Sequence, residues 1–142
     1  SVQSASSPTL TFNNIARHVS QIADVRVASV KSPWLAGVEV GDVFGVAVSH
    51  GEGRFVAPEE SLKEMAAKGM IATQYCDGSS KPVTESPYNP NGSMYAIEGI
   101  TSEDGRIFGK MGHSERIGAN LYKNIPARCD MKIFESGVRY FA

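Results

Sequence analysis

The sequence has few of the residues on which disulfide-rich and metal-binding proteins depend. It contains only two cysteines in 142 residues, Cys76 and Cys129, and they are not in a C-x-x-C spacing. A disulfide framework is therefore not expected, and a reduced cytoplasmic protein is the simpler interpretation. The three histidines show no H-x-x-x-H spacing, so no metal site is expected either.

The sequence also lacks long apolar runs and an excess of charge of one sign. Fourteen basic and fifteen acidic side chains leave a net charge of −1. We therefore expect neither nucleic acid nor a membrane as a partner. No glycine-rich phosphate loop followed by Lys and Ser or Thr is present, so ATP binding is not predicted from these residues. Hydrophobic residues make up 42% and charged residues 20%, a balance typical of one globular domain.

The first half of the chain predicts two strands and a helix. Residues 1–7 are rich in serine and are interpreted as a flexible leader or a cloning remnant, and 8–142 as the domain. The alternation in 24–28 predicts a half-buried strand, and the apolar run 42–48 predicts a strand covered on both faces. A helix should begin at Pro58, which suits a first helical position, and end at Gly69.

A second apolar strand is predicted over 71–76, directly after that helix. A helix between two apolar strands is typical of a βαβ crossover, so we expect 42–48 and 71–76 to pair in parallel. Residues 94–100 and 106–111 predict a hairpin whose connection contains Asp-Gly. The fold class is therefore α/β, with a mixed sheet, a β-hairpin and flanking helices. The last helix is expected to be capped by Asp130 and to bury one apolar stripe: Ile133, Phe134, Val138 and Phe141.

His113 and Glu115 follow the second hairpin strand directly. If the backbone stays extended, the two side chains point the same way, and Glu115 can accept a hydrogen bond from one ring nitrogen of His113. The other nitrogen would remain available as a base, which is the arrangement that activated nucleophiles need. H-x-E alone is common, and a surface pair at a strand end is the alternative interpretation.

The surrounding motifs resemble those of the class I glutamine amidotransferases, which have a flavodoxin-like fold. Within them the chain is similar to the glutaminase part of the phosphoribosylformylglycinamidine synthases of purine synthesis. The similarity runs over about 8–141, and four segments carry it: NPNGSMYAIEGITSEDGRIFGKMGHSER (89–116), SHGEGR (49–54), APEESLKEMAAKGMIATQYCDG (57–78) and NLYKNIP (120–126).

The resemblance implies a division of labour in glutamine hydrolysis. A cysteine thiolate attacks the glutamine amide, a histidine matching His113 transfers protons, and a glutamate matching Glu115 orients it. The ammonia is implied to pass to a synthetase region that uses ATP and Mg²⁺. There it replaces the formyl oxygen of formylglycinamide ribonucleotide.

The chain departs from this family pattern at the nucleophile. No G-x-C-x-G elbow is present, and neither Cys76 nor Cys129 has the flanking glycines that expose a sulfur at a tight turn. We therefore predict that both cysteines are structural, that the elbow precedes residue 1, and that this part alone is inactive. Many relatives have prolines beside the histidine. Gly112 and Ser114 stand there instead, which should alter loop stiffness rather than chemistry.

Two further groups are candidate glutamine contacts. The first is a polar loop after a predicted strand, with a solvated turn that pairs Arg54 with Glu52 as the alternative: His50, Glu52 and Arg54. The second precedes the hairpin, with a plain turn as the alternative: Asn91, Gly92 and Ser93.

Other functions remain open from the sequence. A non-catalytic interaction domain with a glutaminase-like fold is one, and another Cys–His–Glu hydrolase or amidotransferase is a second. Missing early strands would also leave a sheet edge exposed, so a dimer formed through that edge is a further expectation.

Overall fold

A computed structural model describes residue 4 and residues 6–142. The predicted leader over 1–7 lies partly outside the described residues. The elements in chain order are β1 (Thr9–Thr11), β2 (Val19–Val27), β3 (Val43–His50), β4 (Arg54–Val56), α1 (Glu59–Ala67), β5 (Ile71–Tyr75), β6 (Ile97–Thr101), β7 (Phe108–Lys110) and α2 (Ile133–Phe141). Short 3₁₀ turns lie at Pro33–Leu35 and Met94–Ala96.

The main sheet has five strands in the order β3-β2-β5-β6-β7, and β1 and β4 form a separate pair. Every pairing among the described strands is antiparallel. The predicted parallel pairing of 42–48 with 71–76 is therefore wrong, because β2 lies between β3 and β5 and pairs with both. Since both strands are antiparallel to β2, they do run in the same direction. The strand–helix–strand pattern cannot reveal an earlier strand that separates the two.

The sheet curls so that its two ends meet. β3 is the first strand and β7 the last, yet the chain after β7 returns to β3 through a bridge between Ala47 and His113. The edge of β3 is also covered at Gly45, whose N–H donates to the Arg128 carbonyl at 2.8 Å. The predicted dimer through a sheet edge stays a prediction, and part of this edge is already paired within the chain.

The enclosed side chains form two clusters. The larger lies against β2, β3 and β5 and includes Val25, Phe44, Leu35 and Tyr75, all fully buried. The smaller lies under α1 and is built from Phe55, Leu62, Met65, Ile71 and Ile97. Burying one such side chain contributes about 1.5–3 kcal/mol, so these clusters provide the main stabilisation.

The predicted hairpin and first helix are confirmed. β6 and β7 pair with Thr101 opposite Phe108, and Gly105 in the connection has φ +74°, a conformation that favours glycine. α1 begins at Glu59, one residue later than predicted, with Pro58 at its N-cap. Gly69 follows its end with φ +66°.

The last helix differs from its prediction in cap and in packing. Its N-cap is Lys132, whose backbone N–H donates to Asp130 Oδ1 at 2.9 Å. Of the predicted stripe only Ile133 is buried. The others are exposed by 57%, 68% and 47% respectively: Phe134, Val138 and Phe141.

The helix instead turns small residues, Ser136 and Gly137, towards the protein. Trp34 lies so close that a Cβ on Gly137 would meet its ring. The stripe prediction failed because periodicity does not reveal a bulky neighbour that only a small residue can face. Within the described part of the chain, no helix is long and apolar enough to cross a membrane.

Candidate glutaminase site

The hairpin delivers His113 to the edge of β3. Its backbone N–H donates to the Ala47 carbonyl at 2.8 Å, and the chain then turns, with Arg116 N–H donating to the His113 carbonyl at 3.3 Å. The condition of an extended backbone is therefore not met, because the segment is a turn. The predicted contact is confirmed: His113 Nδ1 lies 2.7 Å from Glu115 Oε1.

The geometry leaves one ring nitrogen of His113 for chemistry. Nδ1 is bound to Glu115, whereas Nε2 makes no hydrogen bond with the residues that the structure describes. The two side chains are 30% and 55% exposed, so a reacting group can approach. The pKa of Glu115 is lowered, first by its own backbone N–H and then by His113. An ionised Glu115 fixes the tautomer of His113 and stabilises the imidazolium.

A cleft of about 450 Å³ opens beside this pair, between the end of the hairpin and α2. Its volume is within the range of small-molecule sites. Its lining combines apolar and aromatic side chains with the two polar candidates: Trp34, Phe108, Ile133 and Phe134 with His113 and Glu115.

Neither cysteine has the properties of an activated nucleophile. Cys76 is buried, and burial is the largest cause that raises the pKa of its thiol to about 11. Burial also raises the pKa of the Cys129 thiol. Both thiols stay protonated near neutral pH, and both are free of disulfides. These properties agree with the predicted structural role.

His50 lies at the end of β3 and packs on Gly53, where an added Cβ would lie 2.5 Å from the ring Nδ1. Its Nδ1 is buried without a hydrogen bond to any described residue, and its Nε2 lies 3.5 Å from Asn91 Nδ2. Burial lowers the pKa of His50. Burial therefore favours the neutral form of this packed ring.

Asn91 is enclosed and hydrogen-bonded on both ends of its amide. Nδ2 donates to the Gly53 carbonyl at 2.7 Å and to the Tyr75 hydroxyl at 3.2 Å. Oδ1 accepts from the hydroxyl of Ser93 at 2.7 Å and from its N–H at 3.0 Å. Ser93 Oγ in turn accepts from Phe55 N–H at 2.9 Å. Both side chains are 0% exposed and tie the loop to β4.

The structure brings the two candidate loops together but separates one member. Arg54 Nε donates to the Gly92 carbonyl at 3.3 Å, and Gly92 has φ +80°. Glu52 is exposed, and no ion pair joins it to Arg54 among the described residues. The alternative interpretation, a turn in which Arg54 pairs with Glu52, is therefore not observed. The glutamine contacts assigned to the residues of both loops stay predictions.

Sequence reasoning missed two residues that touch the turn of His113. Glu98 lies in β6 and Lys110 in β7, with Lys110 Nζ 3.0 Å from Glu98 Oε1. The available signal was an acidic residue within an apolar strand pattern, where a charge needs a partner. In the described part of the chain, no three His, Cys, Asp or Glu side chains lie close enough to hold a metal ion.

Comparisons with known proteins agree with this fold. The profile of the CobB/CobQ-like glutamine amidotransferase domain matches residues 1–141. This chain belongs to that family. The amidotransferase domain is 34% identical over 128 residues to phosphoribosylformylglycinamidine synthase subunit PurQ of Salinibacter ruber, a match covering 90% of this chain and 52% of that protein. The PurQ subunit of Aquifex aeolicus is 35% identical over 105 residues, covering 74% and 45%.

The solved structure of PurLQS from Thermotoga maritima has a similar fold. The TM-score is 0.68 at 24% identity, and the match covers 96% of this domain and 54% of that chain. Together with the family match over residues 1–141, this likeness shows a class I glutamine amidotransferase fold for the residues present. The domain spans about half the length of the curated relatives it matches.

Proposed function

We propose that this domain is part of the glutaminase of a phosphoribosylformylglycinamidine synthase. The observation that carries the proposal is the 2.7 Å contact between His113 Nδ1 and Glu115 Oε1, with Nε2 left for a reacting group. The PurQ relatives, at 31–43% identity, support the same assignment.

In this proposal His113 moves protons and Glu115 holds it in place. A cysteine thiolate attacks the side-chain amide carbon of glutamine, and Nε2–H of His113 protonates the departing ammonia. The neutral ring then takes a proton from water, whose oxygen attacks the thioester and releases glutamate and the thiol. Glu115 stabilises the imidazolium that is present before the first transfer and again after the second. Because neither cysteine lies in a G-x-C-x-G elbow and Cys76 is buried, the nucleophile is expected from sequence outside these 142 residues.

The partner in this proposal is a synthetase region that consumes the ammonia to form the amidine of formylglycinamide ribonucleotide. ATP and Mg²⁺ are proposed for that region, and no residue of this domain is assigned to them. A cytoplasmic location belongs to the same proposal, and the two free cysteines support it.

The test is His113→Ala in the complete enzyme that contains these residues. Loss of a general acid–base group should lower glutamine-dependent synthesis by about 10²- to 10⁴-fold. Synthesis from free ammonium should remain unchanged, because that route bypasses the glutaminase. Lys63→Ala, at a side chain 69% exposed on α1, is the matched control and should change neither rate. Equal loss of both activities after His113→Ala would contradict the proposal.

A second test uses the 142-residue chain alone. We expect it to release no ammonia from glutamine, since it has a base and an orienting carboxylate but no activated thiol. Steady turnover that is lost on His113→Ala would show instead that the nucleophile lies within these residues.

A further inference from the structure

Glu98 is a charged residue in the interior of the curled sheet. Its side chain is 0% exposed, and the proposed reaction makes no use of it. Burial of an unpaired carboxylate is costly, so the groups that compensate it show what this position does.

Both carboxylate oxygens of Glu98 are bound. Oε2 accepts from the Thr73 hydroxyl of β5. Oε1 accepts from the backbone N–H of Gly112 at 2.5 Å and lies 3.0 Å from Lys110 Nζ. Lys110 also donates to the Gly112 carbonyl at 2.9 Å. The ion pair therefore holds both polar backbone groups of the residue that precedes His113.

A residue without a Cβ is needed at position 112 for this contact. A Cβ there would lie 2.8 Å from Glu98 Oε1 and 2.6 Å from Val46 Cγ2. On the other side, Met111 N–H donates to the Glu98 carbonyl at 3.0 Å and His113 N–H to Ala47. Hydrogen bonds to Glu98 in β6 and to Ala47 in β3 thus fix the backbone of residues 111–113, from which the side chain of His113 extends.

We propose that Glu98 and Lys110 are positioning residues that hold the His113 turn in its reactive orientation. The inference rests on the proposed function of His113. Stability alone is a weak reason for such a pair, because buried ion pairs contribute little compared with apolar groups of similar shape. The pair instead sets where His113 Nε2 points, and small misplacements of a reacting group cost large factors in rate.

The experiment compares two variants in the complete enzyme. Glu98→Ala removes the acceptor of Gly112 N–H. The double variant E98Q/K110M replaces both charged side chains by neutral ones of similar shape, so we expect it to fold. It removes the donor to the Gly112 carbonyl. For both we expect kcat with glutamine to fall roughly 10- to 100-fold with little change in KM. Activity with free ammonium should be unchanged.

Thr73→Val is the matched control. It removes the other hydrogen bond of Glu98 at an equally buried site, and it does not touch the turn. We expect it to lower the midpoint of thermal unfolding while kcat with glutamine stays near wild type. The pH dependence of kcat/KM for glutamine should shift in Glu98→Ala and not in Thr73→Val.

The outcomes separate this inference from the function on which it rests. If His113→Ala leaves glutamine use intact, the proposed function fails. If His113→Ala abolishes it while E98Q/K110M has wild-type kcat and an unshifted pH profile, the positioning role is overturned. The role is also overturned if Thr73→Val lowers kcat with glutamine as much as Glu98→Ala and E98Q/K110M do. Should Glu98→Ala fail to fold, the double variant decides the question alone.

Discussion

Two polar turns lie next to the curled sheet, and they use their side chains in opposite ways. In the loop Asn89–Ser93, Asn91 and Ser93 are 0% exposed and bind groups of the protein itself. In the turn that begins at Gly112, the backbone is bound from within, whereas His113 and Glu115 extend outward. In the first turn the side-chain polar atoms bind the protein itself, whereas in the second Nε2 of His113 has no hydrogen-bond partner among the described residues.

The difference teaches how to distinguish a structural polar cluster from a chemical one in this protein. Both clusters are rich in residue types that bind ligands, so composition does not separate them. What separates them is where the hydrogen bonds go: the amide of Asn91 has both ends occupied, while Nε2 of His113 has no partner among the described residues.

The largest effect is expected when the orienting carboxylate is removed from the reactive turn. Glu115→Ala in the complete enzyme should lower the glutamine-dependent rate by about 10²-fold or more, because the tautomer and imidazolium of His113 lose their support. Steady-state rates with glutamine and with ammonium measure this. Glu103→Ala, which removes a carboxylate of similar exposure far from the turn, is the control. A full rate after Glu115→Ala would remove the basis for separating the two turns.

The enclosed loop should respond in stability instead. Asn91→Ala removes the hydrogen bonds to the Gly53 carbonyl and the Tyr75 hydroxyl and those from Ser93, and we expect a loss of about 2–4 kcal/mol in the free energy of unfolding. Urea unfolding followed by fluorescence of Trp34, the single tryptophan, measures it. Asn124→Ala, at an exposed asparagine, should change stability by less than about 0.5 kcal/mol. Equal, small changes in both variants would show that the hydrogen bonds of Asn91 contribute little.

A smaller effect is expected from His50, which joins the enclosed loop. Its pKa in the folded protein lies below the ordinary value of 6.5, chiefly through burial. The unfolded chain therefore binds a proton more readily, and the stabilisation present above pH 6.5 should decrease as the pH falls through the lower pKa of folded His50. His50→Gln should flatten this part of the curve of unfolding free energy against pH. An unchanged slope would indicate that His50 does not titrate in this range.

The sequence predicted these two turns unequally, for physical reasons. The contact between His113 and Glu115 is local, and a spacing of two residues sufficed to find it. The extended backbone on which that reasoning was conditional does not form, and the segment is held by long-range bonds to Ala47 and Glu98.

The enclosed loop could not be interpreted in this way. The partners of Asn91 at Gly53 and Tyr75 are 38 and 16 residues away, so no local pattern could predict that its amide is occupied. The predicted parallel pairing was wrong for the same reason. The insertion of β2 between β3 and β5 depends on contacts between distant residues, which a local pattern does not show.

The central claim is that the turn carrying His113 performs the chemistry and the loop carrying Asn91 supports the fold. The most direct measurement is the ratio of glutamine-dependent to ammonium-dependent rates in the complete enzyme, compared between His113→Ala and Asn91→Ala at a temperature where both are folded. We predict that the ratio falls about 10²-fold or more for His113→Ala and stays within about threefold of wild type for Asn91→Ala. A similar fall in both variants, or a larger one for Asn91→Ala, would contradict the account.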